Sequence, residues 1–272
     1  MAAFALNHMA VHRLGAMAFL YAASRLGCVG VEFRNDLPTQ LFDGLAPEAI
    51  RDAAAQRGLR VLALAEVKMF NDWSDTKRAE ALALRKIAVA AGAEAVSLIP
   101  RNDNHGMDLV ARKAILIRAL TDLKPMLEDH GLTGMVEPLG FEVCALRWKA
   151  EAVEAIEAVG GTGRFRLVHD TFHHHLAGET ALFPAHTGIV HVSGVTDPDV
   201  SVADMRDGHR VLVDAQDRLG NLSQLIDLFR AGYTGPISFE PFAKQIHDLA
   251  DPVGAMAKSI EFIRSGLAAQ AA

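Results

Sequence analysis

The chain has 272 residues, half of them hydrophobic, which is enough for one large buried core. A net charge of -6 and a pI near 6.0 exclude a nucleic-acid backbone as the main partner, because phosphate binding leans on clustered Lys and Arg. The two cysteines, Cys28 and Cys144, are too far apart for a CxxC pair and read as reduced thiols of a cytoplasmic protein, with no signal segment and no apolar run of membrane-spanning length.

Along the chain, eight strand-like segments recur: 3–8 (AFALNH), 29–33 (VGVEF), 59–65 (LRVLALA), 94–99 (EAVSLI), 133–137 (TGMVE), 165–169 (FRLVH), 188–192 (GIVHV) and 236–240 (PISFE). Between most of them lie Ala- and Leu-rich segments with helical spacing. The clearest is 75–91 (DTKRAEALALRKIAVAA), with Ser74 or Asp75 as N-cap. Gly27, Gly58, Gly92, Gly131, Gly160 and Gly232 stand between a helix and the next strand, where a left-handed C-cap is expected. Strand–helix alternation implies a parallel sheet, and eight repeats imply a closed (β/α)8 TIM barrel spanning 1–272 as a single domain. An open doubly wound sheet is the alternative, but no GxGxxG or P-loop follows the first strand. The longest irregular stretch, 194–221, separates the seventh strand from the last helix and is expected to hang over the catalytic face. The closing AAQAA reads as a tail.

Four of the apolar runs each deliver one metal-competent side chain where the run gives way to loop: Glu137 in GMVEP, Asp170 in FRLVHD, His191 in GIVHVSG and Glu240 in GPISFEP. A single strand-end Glu reads equally well as a capping or surface charge. Four such residues on strands five to eight of a parallel barrel converge on one place. Three carboxylates and an imidazole suit one divalent ion, Mn2+ first, with Co2+, Mg2+ or Zn2+ as alternatives.

Other residues form a second tier. In HDTFHHHLAG, His173 follows Asp170 by three, so Asp170 is read as a ligand and His173 as a donor to substrate oxygen. His174 and His175 are expected to point away or pack, and His169 to face the helices by alternation. Arg210 in DGHRV offers a fixed fork of donors to a polyol or enediolate. Arg34, with Glu32, and Glu66, with Lys68, are expected along the substrate pocket wall. Phe70 and Trp73 read either as its apolar floor or as core. His12 and His186 have no partner evident from sequence.

The stretches VEFRNDLP, ALAEVKMFND, VEPLGFEVC, LVHDTFHHHLAG, VHVSGVTD with DGHRV downstream, and GYTGPISFEPF run in order over nearly the whole chain. In these the chain resembles the xylose-isomerase-like TIM-barrel superfamily of sugar isomerases and epimerases, and within it the inosose (2-keto-myo-inositol) isomerases of inositol catabolism. The resemblance implies one divalent cation held by Glu137, Asp170, His191 and Glu240, with His173 and Arg210 holding substrate. The sequence departs from that pattern after Arg210, where a Pro-Gly-x-Gly turn is replaced by HRVLVDAQDRLGN, and at Pro241, where the family carries an aliphatic or aromatic residue.

The implied reaction is a 1,2-carbonyl transposition through a cis-enediolate, with Glu137 and Glu240 as the acid/base pair. The expected partner is a small keto-polyol or ketose, foremost a keto-inositol; a homo-oligomer is compatible with this. A ketohexose 3-epimerase or a hydroxypyruvate isomerase is the alternative. Abasic-site endonucleases share the barrel and carry an Asp-x-His pair like Asp207 and His209, but this chain has Arg34 and Glu66 where they place further His ligands. A metal-free binding barrel is the remaining alternative.

Overall fold

The computed structural model describes residues 2–103 and 106–270. Eight parallel strands close on themselves in sequence order, β1 (Phe4–Asn7), β2 (Gly30–Arg34), β3 (Arg60–Lys68), β4 (Ala95–Ile99), β5 (Thr133–Val136), β6 (Phe165–Asp170), β7 (Thr187–Val192) and β8 (Ile237–Phe239), with β8 pairing back onto β1. The helices are α1 (Ala16–Arg25), α2 (Pro47–Ala55), α3 (Asp75–Ala90), α4 (Leu109–Glu128), α5 (Lys149–Ala158), α6 (Thr171–Ala177), α7 (Asn221–Arg230), the single turn α8 (Lys244–His247) and α9 (Pro252–Ala269). This is the (β/α)8 barrel that the alternation predicts, and it replaces the open-sheet alternative. Among the described residues, no helix is long and apolar enough to cross a membrane.

Local signals explain the punctuation. The Ser74 side chain, not that of Asp75, accepts the Lys77 N–H at 3.2 Å and starts α3. All six glycines expected at helix ends have positive φ. At Gly27 the left-handed turn lets the next amide, Cys28 N–H, bond back to the Ala23 carbonyl at 3.0 Å, closing the end of α1. The long loop leads into α7, and α8 and α9 lie beyond it, after β8. The tail expected at AAQAA begins inside α9, which runs through Ala269; residues 271–272 lie outside the described chain.

Two of the three hydrophobic clusters among the described residues set the position of the site. The larger lies between sheet and helices and includes Phe19, Phe33, Phe70, Phe165 and Phe239. The smaller joins Ala5, Leu62, Val168 and Ile189, with Met135 against them. These five come from β1, β3, β6, β7 and β5, which are not all neighbours in the sheet, so they meet inside the barrel. Strand periodicity of two then dictates the next inward layer: Asn7, Glu137, Asp170 and His191 each lie two residues beyond a member of that plug. Both cysteines are buried and free, and burial pushes the Cys28 thiol up to about 12 and Cys144 to about 11.

Candidate metal centre

The polar layer contains the four residues picked out by sequence. Glu137 and Glu240 lie one residue past β5 and β8, Asp170 ends β6, and His191 is the penultimate residue of β7. All four are buried, and each presents a ligand atom within 4.8 Å of the others. His191 Nδ1 lies 3.2 Å from a Glu240 oxygen and 3.7 Å from a Glu137 oxygen. That nitrogen is buried and has no hydrogen-bond partner, which is costly for a polar atom unless something else satisfies it. Three oxygen donors and one borderline nitrogen converging on such a point fit a divalent cation.

Asp170 and Glu240 are each held by further contacts. Asp170 caps α6: one carboxylate oxygen accepts the Phe172 and His173 amides at 2.8 and 3.0 Å, while the other accepts Arg210 Nη2 at 2.5 Å. Glu240 Oε1 accepts Arg34 Nη1 at 2.6 Å and Asn7 Nδ2 at 3.1 Å, and Oε2 accepts Arg210 Nη2 at 3.1 Å. Burial works against ionising Glu240, yet His191, Arg34 and Arg210 hold it well below the usual carboxylate range. Glu137 has no guanidinium partner, and burial pushes it up to about 7 against the pull of His191. Burial also opposes the charged form of His191, but Glu32 and Glu240 outweigh it and hold the imidazole well above its ordinary value.

Over this layer opens a cleft of about 380 Å³. Its wall includes Glu137, Glu240, His173, Arg210, Arg34, Glu66 and Lys68, all expected in or near the site, together with apolar Met69, Ile99, Leu139, Phe141 and Phe242. Asp170 and His191 are not on that wall; they lie behind it. His173 faces the cleft with its Nδ1 unpartnered, and burial lowers its basicity. Burial raises Glu66 to about 7, offset in part by Arg34.

Several expectations change. Arg210, expected to offer its fork of donors to substrate, lines the cleft but directs most of those donors to the protein itself. It is 1% exposed, bridges Asp170 and Glu240, and also bonds Ser193 and Asp207. Its guanidinium lies between the rings of Phe172 and Phe242, with centroids 5.0 and 4.6 Å away. Without the Pro-Gly turn, the loop is anchored by its own backbone. Gly194 and Val211 form an antiparallel bridge, and the Arg210 carbonyl accepts the Phe242 and Ala243 amides at 3.0 and 2.8 Å. Arg34 lines the cleft, but its donors are engaged by Asp36, Glu66 and Glu240. Glu32 is not on the wall: it points into the barrel behind His191, whose Nε2 lies 3.1 Å from both of its oxygens. Phe70 is core, and Trp73 packs against core, so neither forms the floor.

Among the described residues, the other histidines weighed from the sequence do not join the cluster. His169 bonds Gln224 on α7, His174 bonds buried Lys149 at 2.6 Å, and His12 packs edge-on to His247. His186 lies 3.6 Å from Glu157. His209, half of the Asp-x-His pair, turns back to accept the Arg206 amide at 2.9 Å, and it does not join the cluster. The sequence reading did not single out Asn7, Ser193 or Phe242. Asn7 could have been found from the inward alternation of β1, whereas Ser193 and Phe242 carry no local signal.

The closed parallel barrel gathers its carboxylates and imidazole at the C-terminal ends of its last four strands, the face on which (β/α)8 barrels carry their sites. A family model described as xylose isomerase-like TIM barrel matches residues 20–266, and the chain belongs to that family. Among solved structures, a xylose isomerase domain containing protein from Salmonella typhimurium LT2 is similar at 29% identity and TM-score 0.89, covering 97% of each chain. An IolI protein with a bound zinc atom is similar in fold at 18% identity and TM-score 0.87, over 97% of this chain and 98% of the other. A D-allulose 3-epimerase from Methylomonas sp., in complex with D-allulose, is similar at 17% identity and TM-score 0.70, over 97% and 96%. No curated protein sequence matches the chain.

Proposed function

We propose that this protein is a metal-dependent isomerase or epimerase that moves a carbonyl between adjacent carbons of a keto-polyol through a cis-enediolate. The observation that carries this reading is a division within the cluster. Glu137 and Glu240 reach the cleft wall, while Asp170 and His191 lie behind it. Of these four, only the two glutamates reach the cleft, so we assign them the acid/base work and read Asp170 and His191 as ligands. A divalent ion held by the four would polarise the carbonyl and acidify the adjacent C–H.

One glutamate takes the proton from the carbon beside the carbonyl, and the other returns a proton to the neighbouring carbon. His173, which lines the cleft, donates to a substrate oxygen. Arg210, permanently charged, stabilises the negative charge of the enediolate. The cleft wall mixes acidic, basic and apolar residues, which suits a neutral, hydroxyl-rich ring. A keto-inositol is the favoured substrate, on the motifs shared with inosose isomerases and the fold shared with an IolI protein.

The test is turnover in D2O with Mn2+ on keto-inositols, ketohexoses and hydroxypyruvate, read by product NMR. Deuterium is expected at the carbon next to the carbonyl, and Glu240→Gln should abolish its incorporation. Product formed by the wild type without carbon-bound deuterium would remove the acid/base roles and favour a hydride shift.

A further inference from the structure

We infer that Glu32 is a positioning residue for the metal centre: it fixes which nitrogen of His191 faces the ligand cluster and strengthens that nitrogen as a donor. The inference rests on the metal-centre reading above and concerns a residue outside the four ligands.

Glu32 lies on β2 and His191 on β7, with β1 and β8 between them in the barrel wall. Their contact therefore crosses the barrel interior. Glu32 is 1% exposed and His191 2%. His191 Nε2 is 3.1 Å from each Glu32 oxygen, and Nδ1 is the nitrogen that faces Glu137 and Glu240. A carboxylate accepts hydrogen bonds and cannot donate one when ionised. Nε2 must then carry the hydrogen, which leaves the Nδ1 lone pair free for a cation. Nδ1 itself is buried without a hydrogen-bond partner and faces the cluster, where its lone pair becomes available to a cation once the ring is neutral.

Glu32 is itself fixed. Ser238 Oγ donates to Glu32 Oε1. Ser238 also pairs in register with His191 across the β7–β8 ladder, so serine, carboxylate and imidazole form one closed set. The β2–β3 register shifts between Val31 and Glu32, and this irregularity falls at the residue whose side chain must reach across the barrel. A buried carboxylate held by a hydroxyl and an imidazole is expensive to maintain in a core. Apolar packing alone would be served better by an aliphatic residue there. A partner that orients a ligand imidazole and raises its basicity is worth about 10- to 100-fold in metal affinity.

The experiment uses the full chain. Co2+ and Zn2+ dissociation constants are measured by competition with a chromogenic chelator for wild type, Glu32→Gln and Ser238→Ala. Long-range imidazole 15N spectra are recorded on wild type loaded with 113Cd2+. Glu32→Gln is expected to weaken binding by about 10- to 100-fold, since its amide can donate to Nε2 and turn the Nδ1 hydrogen toward the cluster. Ser238→Ala, which leaves the carboxylate in place, should weaken binding by less. The cadmium coupling of the His191 ring should appear on Nδ1. A merely structural role would lower the melting temperature of Glu32→Gln and leave its metal affinity unchanged, and that result would overturn the inference. So would cadmium coupling at Nε2, a measurement that needs no variant to fold. Wild type that takes up no divalent metal would instead sink the metal-centre reading, and this inference with it.

Discussion

Arg210→Met separates the structural and catalytic duties of the buried guanidinium. Methionine keeps an unbranched apolar stem between Phe172 and Phe242 but removes the cation that bridges Asp170 at 2.5 Å and Glu240 at 3.1 Å. Both carboxylates are buried, so the change leaves two anions without this partner. Breaking a buried pair from one side costs about 3–5 kcal/mol. For a chain of this size each kcal/mol moves the melting temperature by roughly 2–4 °C, so metal-free Arg210→Met should melt roughly 6–20 °C below the wild type. A divalent ion at 100 to 1,000 times its Kd contributes about 2.7–4.1 kcal/mol to the folded state. It also compensates the same two anions, so Mn2+ should raise the variant's melting temperature more than that of the wild type and narrow the gap. Turnover should remain lower by about 10- to 1,000-fold, because the enediolate charge loses its fixed donor. Thermal unfolding with chelator and with Mn2+, alongside steady-state kinetics, gives all three quantities. A metal-free melting temperature within about 2 °C of wild type would refute the buried-bridge reasoning.

Asp170→Asn and Asp170→Ala should both lose stoichiometric metal by elemental analysis, but only Ala should also remove the α6 cap, at about 1 kcal/mol in urea unfolding; full metal content in either would remove Asp170 from the ligand set. His173→Asn should bind metal normally yet turn over about 10- to 1,000-fold more slowly, and unchanged kinetics would place His173 outside the substrate contacts. Metal affinity should rise with pH through about 7, because Glu137, pushed up to about 7 by burial, and His191, held high by Glu32 and Glu240, both keep protons that a ligand must shed. Calorimetry in buffers of different ionisation enthalpy counts the protons released, and a pH-independent affinity with no release would contradict those shifts.

The sequence made the barrel and its four strand-end residues readable because both are written in short-range pattern. Apolar runs marked the strands, glycines marked the returns, and a polar side chain at the end of an apolar run stood out against it. Ends of parallel strands share one face, so convergence followed from topology without any knowledge of distance. Pairings across the barrel were not readable. Glu32 and His191 are neighbours only because β2 and β7 face each other through the interior, and VEF looks the same whether its glutamate points to solvent, helix or core. Arg210 was identified, but its partners depend on a loop whose course is fixed by the Gly194–Val211 bridge and by the β8 end. Phe70 and Met69 show the same limit: adjacent apolar residues after β3, one core and one on the cleft wall.

The buried charges themselves argue for the valence of the ion. Around the centre, Glu32, Glu137, Asp170 and Glu240 are buried carboxylates, and Arg34 and Arg210 are the buried guanidiniums that touch them. An imidazole that ligates must be neutral. Counting these six groups alone, with all four carboxylates ionised, two negative charges stay uncompensated in a region where charge is costly to hide. A divalent cation restores neutrality, and a monovalent one leaves a buried negative charge behind. Before metal arrives, protons on His191 and Glu137 can make up the same deficit: burial raises Glu137, and Glu32 with Glu240 raises His191 against its own burial. Metal and protons then compete for one electrostatic vacancy. The two arginines are not part of that competition, because a guanidinium does not release its proton. Their role is to keep the deficit at two, and losing either one would raise it to three and make the metal-free fold the weaker for it.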